Sequence, residues 1–224
     1  LHYPLRRQRQ MCIRDRFSMS HPTIRGSLVA LITPFNEDGS VNFDKLGELI
    51  DFHLANSTDA LVILGTTGES STMSHEEDNA VCEYTVKRVA GRIPVIAGSG
   101  SNSTQTMLEK SLSYERLGAD GLLLITPYYN KTNEEGMYLH FKTVADAVKI
   151  PCILYNVPGR TGCSISVANV ARLSQHPNIV GIKEASGNMS YAAKVAKYLS
   201  DDFAMYSGND DMIVPLLSLS LIHI

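Results

Sequence analysis

Seven short apolar runs recur along the chain at intervals of about thirty residues, and this repeat restricts the fold more than any other feature. They are "SLVALIT" (27–33), "ALVIL" (60–64), "IPVIA" (93–97), "GLLLIT" (121–126), "PCILY" (151–155), "IVGIK" (179–183) and "FAMYS" (203–207). Each ends in small or polar residues and is followed by a stretch with helical periodicity. In "NFDKLGELIDFHLAN", Phe43, Leu46, Leu49, Ile50 and Leu54 share one helical stripe. Ser74 and Glu77 have capping-box spacing at the start of the next helix. Near-continuous apolar runs suit strands covered on both faces, and their alternation with helices predicts a parallel sheet. A doubly wound sheet and a (β/α)8 TIM barrel both fit. No GxGxxG follows the first run, so the dinucleotide fold loses its main support and the barrel is preferred. A complete barrel has eight strands and typically about 250 residues. Seven runs therefore predict an α/β protein with an incomplete (β/α)8 barrel.

Composition excludes several functions. The 224 residues are 44% hydrophobic and 19% charged, with a net charge of -3, which makes no general case for nucleic-acid binding. No stretch approaches 18 consecutive apolar residues, so no membrane span is expected. Cys12, Cys82, Cys152 and Cys163 form no CxxC and are read as reduced thiols in a cytosolic protein. The seven histidines lack metal-ligand spacing, so no metal is expected. The ends differ from the middle. The first sixteen residues hold five arginines against one aspartate, with no apolar core for a secretory signal. "MCIRDR" and "SLIHI" are read as adaptor-derived sequence, with Met19 as a natural start. The expected organisation is a non-native leader (1–18), a partial barrel catalytic domain (19–216) and a non-native tail (217–224).

In a barrel of this kind the chemistry sits at the C-terminal ends of the strands. Those ends collect "GTTGES" (65–70), "GSGSN" (98–102), "TPYYN" (126–130), "YNVPGRTG" (155–162), "KEASG" (183–187) and "SGND" (207–210). Period-two alternation puts Ile179, Gly181 and Lys183 on one face and Val180 and Ile182 on the other. With Val180 and Ile182 under the helices, Lys183 points into the barrel and Gly181 leaves room for its stem. A desolvated lysine loses proton affinity and becomes a usable amine nucleophile, as Schiff-base chemistry with a carbonyl substrate requires. The alternative is a strand-end lysine paired with Glu184 or reaching solvent. In "GTTGES", Gly65 and Gly68 permit tight backbone geometry, and Thr66 and Thr67 offer hydroxyl and N–H groups suited to a carboxylate. The alternative there is a glycine turn with a helix cap. Tyr155 is placed to shuttle a proton, or is a half-buried aromatic with a bonded hydroxyl. Arg160 carries forked donors that match a carboxylate, although most loop arginines are merely solvated.

"GTTGES", "TPYYN", "YNVPGRTG" and "GIKEASG", in order between about Gly26 and Asp211, resemble the dihydrodipicolinate synthase family. That family belongs to the pyruvate-dependent class I aldolases, a superfamily that includes N-acetylneuraminate lyase. The resemblance implies a cytoplasmic, cofactor-free lyase of diaminopimelate and lysine biosynthesis that condenses pyruvate with aspartate semialdehyde. It implies that Lys183 forms the imine with pyruvate and that Tyr155 donates and accepts the proton. Thr66 and Tyr129 would complete the hydroxyl relay, Thr67 would bind the pyruvate carboxylate and Arg160 the semialdehyde carboxylate. The Tyr129 position reaches into a neighbouring subunit's site in this family, which implies a homodimer or homotetramer. Arg160 favours the synthase over a lyase or aldolase for a longer sugar acid; an inactive fragment or a non-catalytic binding protein are the remaining alternatives. Ser70, His75, Asn102 and Tyr128 match the family's lysine-inhibitor site, but Asp78 and Thr106 stand where inhibited members have a histidine and a glutamate. Lysine inhibition is therefore expected to be weak. The resemblance also implies an absent eighth strand and C-terminal helical domain, so the chain as written is expected to be aggregation-prone and poorly active.

Overall fold

The computed structural model describes residues 24–219. The expected leader (1–18), Cys12, Met19 and most of the expected tail lie outside the described residues. Seven parallel strands follow the chain in order: β1 (Leu28–Ala30), β2 (Ala60–Ile63), β3 (Val95–Gly98), β4 (Gly121–Ile125), β5 (Cys152–Asn156), β6 (Ile179–Glu184) and β7 (Ala204–Ser207). The sheet order is β1-β2-β3-β4-β5-β6-β7, and β7 is not paired with β1. This is an incomplete (β/α)8 barrel, as the repeat predicts.

The helices are α1 (Phe43–Ala55), α2 (His75–Val89), α3 (Thr104–Leu117), α4 (Glu134–Ala147), α5 (Pro158–Thr161), α6 (Val167–Leu173), α7 (Met189–Ala196) and α8 (Ile213–Leu217). Most of them begin on a Ser or Asn whose side chain accepts from a first-turn N–H: Asn42, Ser74, Ser103, Asn133, Ser166 and Asn188. Ser74 and Glu77 form the predicted capping box, with Glu77 N–H donating to Ser74 Oγ (3.2 Å) and Ser74 N–H to Glu77 Oε2 (2.8 Å). These caps follow the strands' C-terminal ends, so the loops that precede them gather on one face.

Alternation along the strands splits the core in two. Outward residues such as Leu61, Leu122, Leu154 and Ile182 pack with Leu46, Ile50, Val81, Phe141 and Val170 of the helices. Inward residues Val62, Ile96, Leu123, Ile153, Val180 and Tyr155 form a smaller cluster inside the curl. One expectation fails here. β5 and β6 slip register, with Cys152 opposite Ile179 but Ile153 opposite Gly181. Val180 is the extra residue and joins the inner cluster, whereas Ile179 packs outward. The bulge breaks the simple period-two pattern below Gly181. Above it Lys183 still points inward and Ile182 outward.

The first run is only partly a strand. Pairing stops at Ala30, and Ile32 beyond it is exposed. No described helix is long and apolar enough to cross a membrane.

Candidate active site

Lys183 and Tyr155 are direct cross-strand neighbours at the ends of β6 and β5. The lysine Nζ lies 4.8 Å from the centroid of the Tyr155 ring. Lys183 is half-buried, and among the described residues its ammonium gains no hydrogen bond or ion pair. Desolvation without a compensating anion therefore pulls its pKa below the ordinary 10.5. The alternative of a pair with Glu184 does not hold. That carboxylate accepts from Asn156 Nδ2 (2.7 Å) and Ser186 N–H (2.6 Å) instead.

Space for the lysine comes from an unexpected glycine. A Cβ at Gly181 would strike the Tyr206 ring (2.9 Å) and the Ala204 carbonyl (2.7 Å), so Gly181 makes room for β7 rather than for the lysine stem. A Cβ at Gly208 would lie 3.1 Å from Lys183 Cε and 2.7 Å from Ala185 Cβ. The signal for Gly208 was the strand end "SGND", but its partner is 25 residues away and only the fold reveals it.

Tyr155 is buried. Burial raises its pKa, and the charge of Arg160 and a side-chain hydrogen bond with Thr66 oppose that rise. Burial outweighs both, so the phenol's pKa stays above the ordinary 10.0. Thr66 sits on the turn after β2. The turn's left-handed residues are Leu64 (φ 57°) and Glu69 (φ 55°), not the two glycines. Gly68 is needed for packing: its Cβ would approach Leu31 O at 3.1 Å, and its carbonyl accepts from the Thr33 hydroxyl (2.7 Å). Gly65 has open space around it and lines the cavity. Leu64 is buried and in the left-handed region, a strain of about 1–2 kcal/mol held at the edge of the site.

Two adjoining cavities share Leu123. One, of 470 Å³, is lined by Thr66, Tyr155, Arg160, Ser70, His75 and Tyr128 among others. The other, of 340 Å³, holds Lys183 with Ser207, Gly208 and Asp210. Arg160 belongs to α5, a single helical turn where the sequence suggested a loop. Pro158 begins it and Gly162 (φ 70°) ends it. Arg160 is exposed and free of ion pairs among the described residues. Thr67 is exposed and outside both cavity walls. Tyr129 is 91% exposed with φ 68°, and it also lies outside both walls. Asn102 contacts the loop after β4, its carbonyl accepting from Asn130 Nδ2 (3.4 Å).

At the far end of the larger cavity Lys110 Nζ lies 2.8 Å from Asp78 Oδ2 and 2.8 Å from Ser70 Oγ. This pair is nearly buried, with side-chain exposures of 11% and 1%. The sequence reading missed it because the partners lie on different helices. Among the described residues no cluster of His, Cys, Asp and Glu could hold a metal ion, and Cys82, Cys152 and Cys163 are unpaired.

The model of the dihydrodipicolinate synthetase family matches residues 23–221. The chain is 55% identical over 195 residues to a 4-hydroxy-tetrahydrodipicolinate synthase of Clostridium acetobutylicum, covering 87% of this chain and 66% of that protein. It is 53% identical over 196 residues to the Pseudomonas putida synthase, covering 88% and 67%. The chain thus spans about two thirds of the length of the curated relatives it matches. Among solved structures, dihydrodipicolinate synthase from Aquifex aeolicus superposes with a TM-score of 0.86 at 46% identity, covering 89% of this chain and 68% of that one. The Acinetobacter baumannii enzyme, solved with pyruvate, gives 0.87 at 44% identity, covering 90% and 69%.

Proposed function

This chain belongs to the dihydrodipicolinate synthetase family, and from that premise we propose that it carries the machinery of a 4-hydroxy-tetrahydrodipicolinate synthase. The observation that carries the reading is the desolvated Lys183 amine beside the Tyr155 ring on the neighbouring strand. Neutral Nζ attacks the keto carbon of pyruvate, a C–N bond forms, and the carbonyl oxygen leaves as water. Tyr155, which shares its cavity wall with Thr66, supplies and recovers the proton. Loss of a methyl proton then gives an enamine carbon nucleophile for the aldehyde of aspartate semialdehyde. Arg160, unpaired among the described residues, is suited to that substrate's carboxylate. Thr67 is assigned to the pyruvate carboxylate. The exposed, left-handed Tyr129 is assigned to the site of a neighbouring subunit in a homodimer or homotetramer. No cofactor or metal is invoked, and the compartment is the cytoplasm.

Ser70, His75, Asn102 and Tyr128 are assigned to an effector site that responds weakly to lysine. Asp78 there is already neutralised by Lys110, which competes with an added ammonium group. Millimolar lysine is expected to leave the rate nearly unchanged; strong inhibition would refute this assignment.

The test of the main reading is trapping. Folded protein is incubated with pyruvate, reduced with borohydride and digested. A reduced pyruvyl adduct on the Lys183 peptide is expected. Its absence from a sample shown to be folded would sink the assignment.

A further inference from the structure

Behind the site groups lies a buried polar cluster that the mechanism does not use. Glu184 is 3% exposed and Asn156 0%. Each immediately follows a proposed catalytic residue, Lys183 on β6 and Tyr155 on β5. Asn156 Nδ2 donates to Glu184 Oε2 (2.7 Å), and Ser186 N–H donates to Glu184 Oε1 (2.6 Å). Asn156 Oδ1 accepts from Ile165 N–H (3.0 Å) and the Ser164 hydroxyl (3.1 Å), in the segment that follows α5 and Arg160. Ile165 in turn accepts at its carbonyl from the Tyr191 hydroxyl of α7 (2.7 Å). Two backbone bonds run alongside: Ala185 N–H to Asn156 O (2.9 Å) and Gly208 N–H to Glu184 O (2.7 Å).

None of the ion pairs among the described residues involves Glu184. A carboxylate this buried and without a cation is retained at a cost in desolvation, so neutral donors must hold it. The polarity is also fixed. Both donors to Asn156 Oδ1 are supplied by one loop segment, so the amide cannot flip without opposing N–H to N–H.

We propose that Glu184 and Asn156 are positioning residues: a clamp that sets Lys183 against Tyr155 and anchors the segment that follows α5, the helical turn bearing Arg160. The inference rests on the reading of Lys183 and Tyr155 given above. A shift of about 1 Å in such a pair costs up to roughly a hundredfold in rate, so a clamp of two bonds has measurable leverage.

The polarity supplies the test. Glu184→Gln keeps size and the Ser186 bond but turns an N–H toward the Asn156 N–H. Asn156→Asp alone opposes two carboxylates. The double variant Asn156→Asp/Glu184→Gln restores every bond with the polarity reversed, since the amide introduced on β6 then donates to the carboxylate introduced on β5. Three readouts are taken on the full chain: thermal melting, the rate of borohydride-trapped pyruvate adduct, and acetylation of Lys183 relative to the other lysines at one mildly alkaline pH. Each single variant is expected to trap pyruvate about ten- to a hundredfold more slowly and to change Lys183 acetylation. The double variant is expected to return to within about threefold of the parent on both.

Singles that trap and acetylate like the parent would overturn the clamp while leaving the functional reading intact. A double variant no better than Glu184→Gln, or unfolding of all three variants, would reduce the cluster to a structural role and also overturn it. A parent that acetylates at Lys183, with the expected pattern across the variants, but traps no pyruvate would refute the functional reading and leave the clamp standing.

Discussion

Lys183 shows how a residue's chemistry can oppose the stability of its fold. Its desolvated ammonium has a lowered pKa, so between that pKa and 10.5 the folded chain binds fewer protons than the unfolded one. Stability therefore rises with pH across that window, and below it the full penalty applies. Lys183→Met is expected to abolish pyruvate trapping and to raise Tm by about 2–4 °C at neutral pH, the scale of a 1 kcal/mol gain in a chain of this length. A Tm that falls would show that the ammonium has a partner in the folded state. The trapping rate of the parent should also climb with pH to a plateau reached below the ordinary lysine pKa. Tyr155→Phe keeps the ring beside Lys183 and removes the hydroxyl. It is expected to slow adduct formation by about a hundredfold with little change in Tm, which single-turnover trapping would check.

Individual elements are joined by buried polar pairs rather than by apolar packing alone. Lys110 of α3 reaches Asp78 of α2, and Ser70 Oγ donates to the same carboxylate oxygen at 3.1 Å. Lys110→Met would leave an unpaired carboxylate at 1% exposure, at a cost of about 3–5 kcal/mol in urea unfolding. Adding Asp78→Asn should recover more than half, because the uncompensated charge is then gone; no recovery would place the loss in packing. His140 of α4 meets Thr104 of α3 at 2.8 Å, and burial pushes its pKa down to about 4. The folded state holds this imidazole neutral, so stability is full above about pH 6.5 and falls as pH drops toward 4. The loss reaches roughly 3 kcal/mol, and His140→Gln should flatten that part of the stability–pH curve. A curve equally steep in the variant would assign the loss to other groups.

At the scale of the whole molecule, the sheet ends on β1 and β7, which are not joined to each other. Sedimentation velocity is expected to show one dimer or tetramer boundary, as the assignment of the exposed Tyr129 to a neighbouring subunit requires; a monomer at every concentration would contradict that assignment. The repeat of apolar runs by itself determined the parallel order of strands and helices, because both periodicities are local properties of the chain. It also placed Lys183 and Tyr155 at strand ends, since both terminate apolar runs. The bulge at Val180 was not legible, because register depends on how β5 and β6 pair and not on either strand alone. Nor were Gly208 under Lys183, Asp78 with Lys110, or Asn156 with Glu184, whose partners lie 25, 32 and 28 residues apart. The strain at Leu64 and Glu69 was likewise hidden, because the neighbouring glycines are enough to explain a turn. Composition and period decide which side chains are buried. Which buried polar atom meets which is decided only when the curl of the sheet brings distant strand ends within hydrogen-bonding distance.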